Sequence, residues 1–284
     1  MSAAQLITTE LRRWIVEQAQ EGHTPEQVLA AMRASGWAED VAVRAMNESL
    51  NAHLKSTVEP GQLPPTARVP EPALAAETPT LWAGDREVQV LLTLNQPRVV
   101  VLGQLLSDDE CDAMRAFAGA RLARSETVAA SSNGSEVNAA RTSEGMFFER
   151  GENELIRTVE ARLAHLFDWP VDHGEGLQVL RYQPGAEYLP HYDYFDPEHP
   201  GTPAILKRGG QRVATIVIYL NTPAGGGATT FPDVRLTVSP IKGNAVFFSY
   251  DRPHPMTMSL HGGAPVKAGE KWVATKWLRE GVFT

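Results

Sequence analysis

A single cysteine, Cys111, stands in a chain of 284 residues, so no intrachain disulfide can form. That usage fits a reducing cytosol. Cys111 falls in a segment with helical spacing and has no neighbour in sequence that would clearly lower its pKa, so it reads as a small buried hydrophobe. Basic residues are also short: 26 Lys and Arg against 34 Asp and Glu leave a net charge of -8. A general nucleic-acid binder needs a basic face, which argues against that class. No apolar run approaches the ~20 residues that a membrane span requires. The opening MSAAQLITTELRRW lacks a basic region followed by an apolar core, so it does not read as a signal peptide. Internal repeats are lacking, as are the G-x-x-x-x-G-K-S/T run of phosphate-binding loops and a nucleophile elbow. The expectation is a cytoplasmic protein that engages neither nucleic acid nor membrane.

What is present divides into three parts. Residues 1–55 carry apolar residues at helical spacing: Ile7, Leu11, Trp14, Ile15 and Val16, then Val28, Leu29 and Met32, then Val43, Met46, Leu50 and Leu54. Thr24-Pro25-Glu26-Gln27 supplies an N-cap, a proline at the first helical position and a capping-box glutamine. Gly22 breaks the first helix and Ser35-Gly36 stops the second. Three helices of this size resemble a UBA-like bundle. The other reading is a packing or oligomerisation appendage, so docking or self-association through residues 1–55 stays open. Residues 56–80 hold six prolines and few large apolar side chains, the composition of a semi-extended linker.

Residues 81–284 alternate short apolar runs with Gly, Pro and Asn. Strands are expected at 98–102, 177–182, 212–220, 244–248 and 271–278. Ser107 and Glu110 form a capping box that opens a helix through Met114 and Phe117, and a second helix spans roughly residues 152–167. Helices followed by many short strands predict a mainly β fold with flanking helices. The expected catalytic domain is a double-sheet jelly roll, joined to the small all-α N-terminal module.

Chemistry enters at Tyr188-Leu189-Pro190-His191-Tyr192-Asp193. In a strand, residues two apart share a face, so His191 and Asp193 would point together. They supply two-thirds of a 2-His-1-carboxylate triad, which leaves coordination positions open for co-substrate and O2. The third ligand must come from a distant strand. His23, His53, His165, His173, His199 and His254 lie in helices or polar loops, whereas His261 precedes the final strands.

Here the sequence resembles the prolyl 4-hydroxylases. Residues 177–193, LQVLRYQPGAEYLPHYD, look like that family's iron-binding stretch. Residues 261–280, HGGAPVKAGEKWVATKWLRE, look like its distal histidine and co-substrate strand, and RVATIVIYLNTPAGGGATTFP (212–232) matches its central strand and Gly-rich turn. The resemblance covers about residues 98–284. It implies a double-stranded β-helix with Fe(2+) on His191, Asp193 and His261. It also implies 2-oxoglutarate and O2 as co-substrates and L-ascorbate (vitamin C) to sustain activity.

In this family a lysine or arginine holds the far carboxylate of 2-oxoglutarate, and Lys271 fits that position. Tyr182 would hydrogen-bond the co-substrate, with Thr215, Tyr219 and Thr275 as further candidates. Arg141, Tyr188 and Trp277 would face the substrate. Residues 125–145 match the family's lid, and the loop 195–211 is expected to border the same cleft. The leading expectation is hydroxylation of a prolyl residue in a peptide or protein. Two alternatives remain: the same chemistry on a small molecule, a free amino acid or another side chain, and a non-catalytic binding module. The intact triad and Lys271 argue against the last.

Overall fold

The structure, a computed structural model, describes residues 7–57, 63–74, 78–124, 127–128, 135–136 and 143–284. It divides into two compact units, Met1–Leu63 and Pro64–Thr284.

In the first unit, α1 (Thr9–Gln20), α2 (Pro25–Ala34) and α3 (Glu39–Thr57) enclose Ile15, Val28, Met32, Ala42, Ala45 and Met46. Local chemistry sets the ends. Thr24 and Gln27 exchange hydrogen bonds as a capping box, with the Thr24 N–H donating to Gln27 Oε1 at 2.8 Å. Gly36 stops α2 at φ +88°, a backbone state that residues with a Cβ rarely adopt, and lets the Trp37 N–H reach back to the Met32 carbonyl.

The second unit begins with β1 (Thr80–Trp82), β2 (Glu87–Leu94), β3 (Arg98–Gly103), α4 (Asp108–Gly119), β4 (Ala123–Arg124), β5 (Thr127–Val128), β6 (Ser135–Glu136) and β7 (Glu144–Phe148). It continues through α5 (Glu154–Leu166), β8 (Leu177–Tyr182), β9 (Tyr188–His191), α6 (Thr202–Leu206), β10 (Arg212–Tyr219), β11 (Gly225–Gly226) and β12 (Thr229–Phe231). The chain ends with β13 (Leu236–Val238), β14 (Ala245–Ser249), β15 (His261–Gly263), β16 (Val266–Ala268) and β17 (Lys271–Arg279).

A nine-stranded antiparallel sheet runs in the order β1-β2-β3-β14-β10-β17-β8-β7-β4, and a four-stranded sheet in the order β13-β12-β15-β9. Strand alternation gives the large sheet two buried faces. Val100, Ile216, Phe247 and Ala274 join Met114, Ile156, Val159 and Leu163 of α4 and α5 in one core. Val99, Leu180, Tyr219, Phe248 and Val273 join Phe231 and Val238 of the smaller sheet in the other. Between these sheets lies the expected jelly-roll interior. On the helix-facing side Lys276 and Glu160 form an ion pair at 2.5 Å with both side chains at most 3% exposed. Among the described residues no helix is long and apolar enough to cross a membrane.

The expected linker is corrected over its second half. Residues 64–74 pack as a strap on the second unit. Pro70 and Pro72 are buried, and Ala67, Val69 and Leu74 rest on its core. The Ala67 N–H donates to the Asp251 carbonyl at 2.6 Å, the Glu71 N–H donates to the Phe167 carbonyl, and the Arg98 guanidinium pairs with the Glu71 carboxylate. Proline enrichment signalled an extended backbone, and extended backbone it is. It is laid on a surface because its Ala, Val, Leu and Pro side chains find apolar partners there. The loop 195–211 contains α6, and none of its residues is among those lining the pocket described next.

Candidate metal centre

Two strands of the smaller sheet deliver the histidines. His191 ends β9, His261 begins β15, and the two are register partners across an antiparallel pair. Asp193 lies in the bend beyond β9, so the strand-period argument holds only as far as His191; the bend brings the carboxylate back between the rings. Asp193 Oδ1 is 3.5 Å from His191 Nε2, and Oδ2 is 3.5 Å from His261 Nε2. The three ligand atoms lie within 4.8 Å of one another, a group able to hold a metal ion.

Backbone carbonyls fix both tautomers. His191 Nδ1 is 2.9 Å from the Leu189 carbonyl and His261 Nδ1 is 3.0 Å from the Ser259 carbonyl. A carbonyl only accepts, so each Nδ1 carries the hydrogen and each Nε2 presents its lone pair inward. Burial pushes His261 down to about 4, against the pull of Asp193, which keeps it neutral at physiological pH. Asp193 is 7% exposed. Burial alone would raise its carboxyl, but His261 and His191 beside it outweigh burial and hold it far below the usual carboxylate range. The Thr215 hydroxyl donates to Asp193 Oδ2 at 2.7 Å and stands 2.9 Å from the Tyr250 hydroxyl. Phe248 packs 4.4 Å from the His261 ring, and Tyr188 stacks on His191 at 3.7 Å.

The triad opens into a pocket lined by Tyr182, Tyr188, Thr215, Lys271, Thr275 and Trp277, with Leu180, Val217 and Val273 as its apolar wall. Lys271, Val273, Thr275 and Trp277 are alternate residues of β17 and therefore share one face. Lys271 is 5% exposed and burial lowers it to about 8. Among the described residues its ammonium has no carboxylate partner; it faces the rings of Tyr182 and Tyr219 at 5.4 and 5.9 Å. Tyr219 itself does not line the pocket, and its hydroxyl is engaged by Thr229 at 2.8 Å. Thr215 lines the pocket, but its hydrogen is directed to Asp193. Arg141 lies outside the described residues.

Other residues at the site were not read from the sequence. Arg212 pairs with Glu175 at 2.6 Å and lies 4.1 Å over the Trp277 ring, and Arg279 joins the same carboxylate at 2.7 Å. A signal existed: an arginine heading the otherwise apolar RVATIVIY strand must find a buried anion. The anion is 37 residues upstream, and no local pattern points to it. Tyr250, just beyond β14, left no comparable trace.

Residues 177–279 match the model of the 2OG-Fe(II) oxygenase superfamily. A probable prolyl 4-hydroxylase 3 of Arabidopsis thaliana is 38% identical over 221 residues, covering 70% of this chain and 75% of the relative. Prolyl 4-hydroxylase 5 of the same plant is 38% identical over 216 residues, 69% of this chain and 72% of its own. A viral collagen prolyl hydroxylase from Paramecium bursaria Chlorella virus-1, solved as its 2OG complex, superposes with a TM-score of 0.51 at 31% identity. That match covers 64% of this chain and 95% of the viral one.

The chain belongs to the prolyl 4-hydroxylase family of 2OG-Fe(II) oxygenases. It is thus a 2-oxoglutarate-dependent dioxygenase. The residues present fit the family's metal and co-substrate. Two imidazole nitrogens and one carboxylate match the donor set of a non-haem iron(II) triad. A buried ammonium with no anion among the described residues is a ready partner for the far carboxylate of 2-oxoglutarate.

Proposed function

We propose that the protein hydroxylates a prolyl residue of a peptide or protein, consuming 2-oxoglutarate and O2 and releasing succinate and CO2. The observation that carries this reading is the convergence of His191, Asp193 and His261 in one pocket with Lys271, in a chain 38% identical to prolyl 4-hydroxylases. Iron(II) with 2-oxoglutarate and O2 supplies the oxidising power that C–H hydroxylation requires.

This chain's residues do the positioning. His191, Asp193 and His261 would hold the metal at the pocket. Lys271 receives the far carboxylate by a charge-assisted bond that is strong because it is buried. Tyr182 and Thr275 offer hydroxyls along the same wall. Leu180, Val217 and Val273 keep that wall dry, which protects the co-substrate from uncoupled chemistry. Tyr188 and Trp277 present aromatic rings to a prolyl ring, and Arg141 is assigned to the substrate side by family resemblance. L-ascorbate is the proposed sustaining reductant and the cytoplasm the proposed compartment. Residues 1–55 are the proposed docking or self-association element.

The test is succinate formation over a panel of proline-containing peptides, with mass detection of products one oxygen heavier. Oxygen addition mapped to proline, dependent on iron(II) and 2-oxoglutarate, is the expected result. Succinate formed only with free amino acids or small molecules would move the substrate assignment away from peptides.

A further inference from the structure

The Asp193 carboxylate is held by a chain of hydroxyls that begins outside the pocket. The Asp193 carboxylate, as a metal ligand, offers only acceptor oxygens. The single hydrogen of Thr215 goes to Asp193 Oδ2 at 2.7 Å. The Tyr250 hydroxyl, 2.9 Å from Thr215 Oγ1, must therefore be the donor to Thr215. The result is a directional relay, Tyr250 to Thr215 to Asp193, in which each bond polarises the next. Tyr250 is 2% exposed and does not line the pocket.

Its backbone is pinned on both sides. The Tyr250 N–H donates to the Val213 carbonyl at the start of β10, at 2.9 Å. The next residue, Asp251, accepts from the Ala67 N–H of the strap at 2.6 Å. Tyr194 closes over the ring edge-on at 6.2 Å, and Phe248 lies at the same distance on another side. A side chain fixed this thoroughly, with its one polar atom aimed at the partner of a metal ligand, has more to do than fill space.

We propose that Tyr250 is a positioning residue of the metal centre: it sets the orientation of the Asp193 carboxylate through Thr215. The strap holds Tyr250 in place from the far side. This inference rests on the metal-site reading above. It adds a residue that touches neither metal nor co-substrate.

The experiment uses the full chain and compares wild type with Tyr250→Phe, Thr215→Val, the double variant and Thr215→Ser. Iron(II) affinity is measured anaerobically with 2-oxoglutarate by the visible charge-transfer absorption, alongside thermal unfolding. Loss of the donated bond should weaken iron(II) binding about fivefold in Tyr250→Phe. In the Thr215→Val background the same change should have no further effect, because the relay is already cut. Thr215→Ser keeps the hydroxyl and should keep both the affinity and its dependence on Tyr250. Equal losses from Tyr250→Phe in the two backgrounds would overturn the relay and leave Tyr250 a packing residue. Unchanged affinity in Tyr250→Phe would overturn it too. A wild-type chain that takes up no iron(II) would sink the metal-site reading itself, a distinct failure read from the first titration.

Discussion

Lys271 and Tyr182 are register partners across the β17–β8 ladder, and the Lys271 ammonium lies 5.4 Å from the centre of the Tyr182 ring. An aromatic face offsets part of the cost of burying a cation, but it is no substitute for a carboxylate. Among the described residues the pair thus leaves an unmet electrostatic demand inside a pocket whose other end carries three side chains able to hold a metal ion. A molecule with a chelating oxo-acid at one end and a carboxylate at the other meets both demands.

Lys271→Ala should raise the 2-oxoglutarate requirement sharply while sparing iron(II) binding in the absence of co-substrate. A lost charge-assisted buried bond costs on the order of 1.5–3 kcal/mol, or about tenfold or more in affinity. Titration of 2-oxoglutarate against wild type and variant measures it. An unchanged apparent constant would assign the far carboxylate to another cation.

The same lysine gives the free enzyme a pH dependence. Burial pushes its pKa down to about 8 from 10.5, so the charged form is lost as the pH rises through about 8. Affinity for 2-oxoglutarate should weaken above that value, with the midpoint moved upward in the complex because the bound carboxylate favours the ammonium. Stability runs the other way. The folded pKa lies below the unfolded one, so the buried charge penalises folding below about 8, and the penalty is relieved as the pH rises toward 10.5. Lys271→Met should remove both trends; denaturation and binding curves across this range would reveal them if they persist.

His191→Ala, Asp193→Ala and His261→Ala should each abolish metal uptake and turnover together while the fold survives. Iron content and succinate yield are the paired measurements. Near-normal activity in any one variant would remove that residue from the site.

Stability should respond most strongly elsewhere, at the Lys276–Glu160 pair on the helix side of the sheet. Burial lowers Lys276, and Glu160 partly restores it. Glu160→Gln leaves that ammonium without its anion, and breaking a buried pair from one side costs about 3–5 kcal/mol. Chemical denaturation should show the loss, with 2-oxoglutarate affinity unchanged because the pair faces away from the pocket.

Local chemistry was legible in the sequence and long-range pairing was not. The Ser107–Glu110 and Thr24–Gln27 capping boxes form as expected because all their atoms lie within four residues. The strands bearing LQVLRY and RVATIVIY were visible from apolar content, and α4 and α5 from their periodicity. Strand β2 was not read: EVQVLLTL exposes both Leu91 and Leu92, which breaks the alternation that would mark it. The convergence of His191 with His261 could be placed by family resemblance, since neither residue signals the other locally. Arg212 with Glu175, and Tyr250 with Thr215, join chain segments that only the fold brings together. The strap was misread because composition reports backbone stiffness and is silent about the surface on which a stiff segment lies.

That misreading changes where the chain should be cut. A chain beginning at Pro64 retains the strap, whereas one beginning near Thr80 loses Ala67, Val69, Pro70, Glu71, Pro72 and Leu74. With them go two backbone hydrogen bonds and the Arg98–Glu71 ion pair. Removing these apolar contacts at ~0.8 kcal/mol per buried methylene, plus about 1 kcal/mol per hydrogen bond, should destabilise the shorter chain by several kcal/mol. It also frees Asp251, next to Tyr250, at the root of the hydroxyl relay. The Pro64 chain should fold, bind iron(II) and decarboxylate 2-oxoglutarate without substrate at the rate of the full chain, because every residue of the pocket lies beyond the cut. The Thr80 chain should unfold at lower temperature and bind iron(II) more weakly. Activity on a macromolecular substrate, compared between the full and Pro64 chains, then isolates residues 1–55: a fall there alone identifies them as a docking element. If the Pro64 chain is insoluble or has lost its uncoupled turnover, the helical unit is part of the catalytic fold and the division at Leu63 has no functional meaning.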